Sequence, residues 1–151
     1  MVPKERMEQL TGLYRGTVRG LTANTETWKR FLRLAAFQYK YTFPEQVLIY
    51  AQRPDAVACA PIDLWNSRFH RYVNRGAKGI ALFTERNGRA GIRYVFDVAD
   101  TNGRESFSLW QMREGMESVV ADALEAQFGA NPDNAFPQML FESCMNAVEG
   151  L

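Results

Sequence analysis

The chain has 151 residues, of which 46% are hydrophobic and 23% charged, a globular balance that supports one domain with its own core and excludes general disorder. Two cysteines and a single histidine exclude a disulfide scaffold and a Cys/His zinc site, and they predict reduced thiols in a cytoplasmic setting. The net charge of +1 conceals a division: residues 1–27 carry four basic and three acidic side chains, residues 28–93 twelve and four, and residues 94–151 two and ten.

A middle segment so rich in arginine and lysine, folded contiguously, presents a positive face that attracts a polyanion. The acidic last third is then either a solvated helical face or a counterweight to the positive one. No stretch approaches the ~20 apolar residues of a spanning helix, and the N-terminus lacks an apolar signal core, so a soluble protein with no membrane partner is expected.

In chain order, residues 1–23 show Gly12, Gly16 and Gly20 at intervals of four and no sustained apolar face. They read as a loosely ordered N-terminal arm with at most a short helix. Asn24 or Thr25 can cap the next helix, with Glu26 at the positive end of its dipole. Trp28, Phe31, Leu32, Ala35, Ala36 and Tyr39 then recur on one helical face, with Lys29, Arg30, Arg33 and Lys40 largely on the others, which predicts an amphipathic helix with a basic outer side. Pro44 suits a first helical position, and Val47, Leu48, Ile49 and Tyr50 predict a helix over residues 45–52 buried on most sides, ended by Arg53 and Pro54.

Residues 57–60 read as a short strand, and residues 61–66 as one or two helical turns displaying Leu64 and Trp65. Trp28, Phe31, Leu48, Ile49 and Trp65 are the expected core of this half. Residues 74–78 form a turn in which Gly76 and Gly79 permit backbone conformations that other residues resist. Residues 79–84 and 91–98 are two strands joined by the hairpin signal Asn87-Gly88, the second with Ile92, Tyr94, Phe96 and Val98 on one face. Residues 100–103 read as a turn and residues 107–110 as an edge strand. Met116, Val119, Val120, Ala123, Leu124 and Phe128 line one helix that stops at Gly129, and Phe136, Met139, Leu140, Cys144 and Val148 line a second. The fold class expected is α+β: a small antiparallel sheet packed with N-terminal helices and two amphipathic C-terminal helices, acidic from about residue 114, in one domain over residues 24–151.

Catalytic chemistry finds little footing. His70 stands between Phe69 and Arg71 with no motif around it, and no phosphate loop, dinucleotide fingerprint or paired-histidine zinc motif occurs. Asp97 and Asp100 are close enough to suggest a divalent ion, but capping a turn is the simpler role for two carboxylates at a strand end. The basic turn is more informative. Arg71, Arg75 and Lys78 share one loop whose glycines expose backbone N–H groups, an arrangement suited to phosphate. Tyr41 and Tyr72 supply rings for base stacking if they are exposed, and Tyr72 packs in the sheet if it is not.

Tyr50-Ala51-Gln52-Arg53-Pro54-Asp55, Leu64-Trp65-Asn66 and Arg75-Gly76-Ala77-Lys78-Gly79-Ile80, in that order, together with Tyr94-Val95-Phe96-Asp97, resemble the N-terminal domain of ArdC-type antirestriction proteins. The closer likeness is to the version that opens large helicase and methylase-like proteins of conjugative elements, and it spans roughly residues 24–128. The resemblance implies a non-enzymatic single-stranded DNA-binding module of mobile DNA, without cofactor or metal. Helicase or methylase-like domains of the same parent protein would be its neighbours. The zinc-metallopeptidase-like domain that follows in ArdC proteins has no counterpart here. The expected contacts are Arg71, Arg75 and Lys78 on phosphates, Arg30, Arg33, Lys40 and Arg53 extending the track, and Tyr41 or Tyr72 stacking on bases. A rival expectation is a protein-interaction or inhibitor module, in which the acidic C-terminal helices mimic DNA or dock on a basic partner.

Overall fold

The computed structural model describes residues 4–104, 107–108 and 114–128. The fold is α+β, with five α-helices and two small antiparallel sheets among those residues. The chain divides into two compact units, Met1–Ser108 and Leu109–Leu151.

The first unit opens on an 18-residue helix, α1 (Lys4–Leu21), where the sequence reading expected a loose arm. Leu10, Tyr14, Val18 and Leu21 recur at helical spacing, and all four join the core. Gly12, Gly16 and Gly20 fall on the side where an added Cβ would meet nothing within 4 Å. Each glycine costs the helix about 1 kcal/mol relative to alanine. Burial of the opposite stripe, worth about 1.5–3 kcal/mol for each large apolar side chain, outweighs that loss.

Helix α2 (Thr25–Phe37) starts where Asn24 Oδ1 accepts the Thr27 N–H at 2.9 Å, as the cap reading expected. Its buried side differs from expectation. Phe31, Leu34 and Gln38 are buried, whereas Trp28, Leu32 and Tyr39 are exposed. Gln38 explains the rotation, because its side chain acts in the core: Oε1 accepts the Cys59 N–H at 3.3 Å. Helix α3 (Phe43–Gln52) begins on Thr42, whose N–H and hydroxyl both donate to Glu45 Oε2 at 3.0 Å. Val47, Leu48 and Ile49 are fully buried, as their continuous apolar run predicts.

Strands β1 (Cys59–Ala60), β3 (Ile80–Arg86) and β4 (Arg89–Asp97) form a sheet in the order β1-β4-β3, with α4 (Ile62–Phe69) between β1 and β2 (Arg71–Val73). The Asn87-Gly88 hairpin forms as expected, with positive φ at both residues. Val95 and Asp97, rather than Phe96 and Val98, face the interior of β4. Gln52 closes the free edge of β3: its Nε2 donates to Ala81 O and its Oε1 accepts the Ala81 N–H, both at 2.9 Å.

Residues 100–103, expected as a turn, instead complete a 3-10 turn (Val98–Asp100) and form β5 (Thr101–Gly103), which pairs with β2. Phe107 and Ser108 are not in a strand, and the rest of that expected edge strand lies outside the described residues. In the second unit α5 (Met116–Phe128) matches the first predicted C-terminal helix. The Gly129 stop and the helix expected over residues 136–148 lie outside the described residues. No helix among the described residues is long and apolar enough to cross a membrane.

Candidate nucleic-acid interface

The nine residues expected to contact nucleic acid separate into two groups. Tyr41, Arg53 and Arg71 are built into the fold. The Tyr41 hydroxyl donates to the Cys59 carbonyl at 2.8 Å, and burial first, then the neighbouring Cys59, push its pKa well above the usual phenol value. Its ring is half-buried beneath the Arg93 guanidinium, 5.8 Å from the ring centroid, so it is not an exposed stacking platform.

Arg53 donates from Nη1 to Asp100 Oδ2 at 2.8 Å and from Nε to Asp55 Oδ1 at 3.1 Å. The bond to Asp100 leads the causes that raise its pKa above the ordinary guanidinium value. Arg71 donates from Nε to Thr101 Oγ1 at 2.8 Å and from Nη2 to Thr101 O at 3.1 Å, which fixes it to the β2–β5 ladder. These three positions were expected to reach outward. Their polar atoms are instead engaged within the fold, on the Cys59 carbonyl, the Asp100 carboxylate and Thr101.

Arg30, Arg33, Lys40, Tyr72, Arg75 and Lys78 are exposed, and none of them makes an ion pair among the described residues. Arg30 and Arg33 rim a groove of about 250 Å³ with Phe37, Tyr50, Pro54 and Val57. Asp55 on the same groove pairs with Arg53, Arg53 pairs with Asp100, and the Asp100 carbonyl accepts the Asn74 N–H at 2.8 Å. That chain of contacts ties the Arg30–Arg33 groove to the start of the turn carrying Arg75 and Lys78. Gly76 has φ +86 there, the left-handed conformation expected of it. Gly79 is glycine for another reason: an added Cβ would lie 3.0 Å from the Tyr94 ring. Tyr72 borders a separate open depression with His70, Asn102 and Arg104.

The sequence reading missed a row of exposed rings. Trp28 is 36% exposed, Tyr39 66% and Phe43 46%, with Leu32 between them at 46%. Phe31 anchors this row from beneath, with ring centroids 5.6 Å from Trp28 and 5.8 Å from Phe43. Lys29 and Arg33 lie beside it on α2, and Lys40 Nζ stands 5.7 Å from the Tyr39 ring centroid. The signal that could have revealed this row is excess: Trp28, Phe31, Leu32, Leu34, Ala35, Phe37 and Tyr39 cover more of a helix than one core contact can bury.

Asp97 accepts three backbone N–H groups, from Val57 at 2.7 Å, Ala58 at 2.9 Å and Ala99 at 3.0 Å. It caps the 3-10 turn and pins β1, while Asp100 neutralises Arg53. Trp65 of the Leu-Trp-Asn motif is likewise structural, donating from Nε1 to Phe96 O at 2.9 Å. No family model, curated protein or solved structure matches the chain.

Proposed function

We propose that the first unit is a binding module for single-stranded DNA, largely independent of sequence, and not an enzyme. The observation that carries this reading is the exposed aromatic row Trp28–Tyr39–Phe43 beside Arg33 and Lys40, which no carboxylate among the described residues neutralises; Lys29, also beside the row, pairs with Glu26. An unpaired base offers a flat π-face that such rings can cover, whereas a duplex hides those faces in its stack. Arg30, Arg33 and Lys40 supply the electrostatic part, which follows the backbone and carries no sequence information. Arg75 and Lys78 extend the positive surface beyond the Arg53–Asp100 link. The resemblance to ArdC-type N-terminal domains points the same way and suggests mobile DNA as the setting, with helicase or methylase-like neighbours.

The test is a fluorescence-anisotropy titration of the purified chain with labelled oligothymidylate, repeated with Trp28→Ala and Tyr39→Ala. Each substitution is expected to weaken binding by about 1–3 kcal/mol, the contribution of one stacked base. A matched duplex should compete poorly. Reversing charge at Glu117, Asp122 and Glu125 of α5 should leave the affinity unchanged. Retained affinity in both ring variants, or loss of function confined to the α5 variant, would replace this reading with the acidic protein-interaction module.

A further inference from the structure

We propose that the β3–β4 hairpin forms a phosphate-binding trough into which a bound strand continues from the aromatic row, an assignment that rests on the single-strand reading above. Alternate residues of an antiparallel pair share one face. On the core face Ile80 pairs with Val95 and Leu82 with Arg93; further out, Thr84 pairs with Gly91 and Arg86 with Arg89. Ile80, Leu82 and Val95 are buried, but Arg86 and Arg89 are exposed, so the ribbon runs beyond its core with this face uncovered. The result is an open trough of about 660 Å³. Thr84 and Gly91 line its middle, Arg86 and Arg89 its outer end and Arg93 its inner end, with Ala90 and Ile92 of β4 completing the lining.

The charges in this trough call for an anion. Arg86 and Arg89 are direct cross-strand partners, and among the described residues neither has a carboxylate within ion-pair distance. Glu85, beside them in sequence, pairs with Ala90 and so lies on the opposite face of the ribbon. Like charges directly opposite on a ladder destabilise it, and the tight Asn87-Gly88 turn keeps them together. Two guanidinium forks held side by side match the oxygens of a phosphodiester.

The inner end lies at the start of α3, the helix that also carries Phe43 at its first position. Arg93 bonds to Glu45 and covers the Tyr41 ring, and these two residues flank Phe43. Thirteen residues of α2 give about 20 Å of track. The four strand steps between Arg93 and Arg89 add about 14 Å. At ~3.4 Å per stacked nucleotide the whole path takes about ten nucleotides.

The experiment compares the wild-type chain with the double variant Arg86→Ala/Arg89→Ala at several salt concentrations, using oligothymidylates of about five and about 15 nucleotides. With the long strand the variant should bind about tenfold more weakly at low salt, and its salt slope should flatten by about 1.4, the contribution of two phosphate contacts on a single strand. The short strand should bind both proteins alike, because it fits on the aromatic row. Thermal stability should be equal or higher in the variant, since a like-charge pair has been removed. Unchanged affinity and slope with the long strand would overturn the trough and leave the single-strand reading standing. Failure of the wild-type chain to bind either strand would overturn both.

Discussion

Replacing Arg53 with alanine separates the fold from the site, because its position in the sequence suggests a phosphate contact and its geometry gives it structural work. The guanidinium holds Asp100 at 2.8 Å, with the two side chains 29% and 17% exposed. An exposed pair contributes about 0–1 kcal/mol, and breaking a buried one costs about 3–5 kcal/mol. A half-buried pair falls between, at about 2 kcal/mol; the Asp55 contact adds little, since that carboxylate is 76% exposed. For a chain of this size the loss corresponds to a Tm lower by roughly 4–8 °C. The salt slope for oligonucleotide binding should not move, because no phosphate contact has been removed. Thermal denaturation and a titration on the same preparation read both quantities, and a cycle with Asp100→Ala isolates the pair. A variant of unchanged Tm whose slope flattens by about 0.7 would refute the reasoning and return Arg53 to the interface.

Three further outcomes follow from the same contacts. Gln52→Leu strands the Ala81 N–H and carbonyl at the edge of β3, which should cost about 2–4 kcal/mol and speed hydrogen exchange at the Ala81 amide; an unprotected Ala81 amide in the wild-type protein would contradict this. Burial pushes the Glu45 pKa up, but bonds from Arg93 and Thr42 outweigh it and hold the carboxyl below its ordinary value of 4.5. Its contribution to stability is therefore present above 4.5 and fades as pH falls through the lower folded value, so the stability gap between wild type and Glu45→Gln should narrow under acid in pH-dependent denaturation. The Cys59 thiol is pushed up to about 12, by burial first and then by the Asp97 charge, so in a Cys144→Ser background its alkylation at neutral pH should run on the order of 10³-fold slower folded than unfolded.

Local signals in the sequence translated well into structure. Asn24 caps α2, Pro44 sits in the first turn of α3, and Asn87-Gly88 turns the hairpin, because each acts on backbone within a few residues of itself. The long-range features were not legible. The β2–β5 ladder joins residues about thirty apart through an arginine whose bonds to Thr101 no local pattern announces. Helix α1 was obscured by its solvent-side glycines, although Leu10, Tyr14 and Val18 carry the helical spacing. The face of α2 was misjudged because a polar residue, Gln38, occupies the core while Trp28, Leu32 and Tyr39 stay outside. The motifs of the resemblance proved to be largely structural: Gln52, Arg53 and Trp65 hold a strand edge, a carboxylate and a carbonyl. Arg75 and Lys78 of the third motif are exposed, but the rings of the candidate surface lie on α2 and at the start of α3, where sequence alone cannot distinguish an exposed ring from a buried one.

The most direct test is the salt dependence of single-strand binding by the wild-type chain and by Arg30→Ala and Arg33→Ala. Both side chains are exposed and make no ion pair among the described residues, so their removal should change the stability by no more than the roughly ±0.5 kcal/mol usual for surface substitutions. The account predicts that log affinity falls linearly with log salt, and that each substitution flattens the slope by about 0.7. Binding that ignores salt, or slopes that both substitutions leave unchanged, would contradict it.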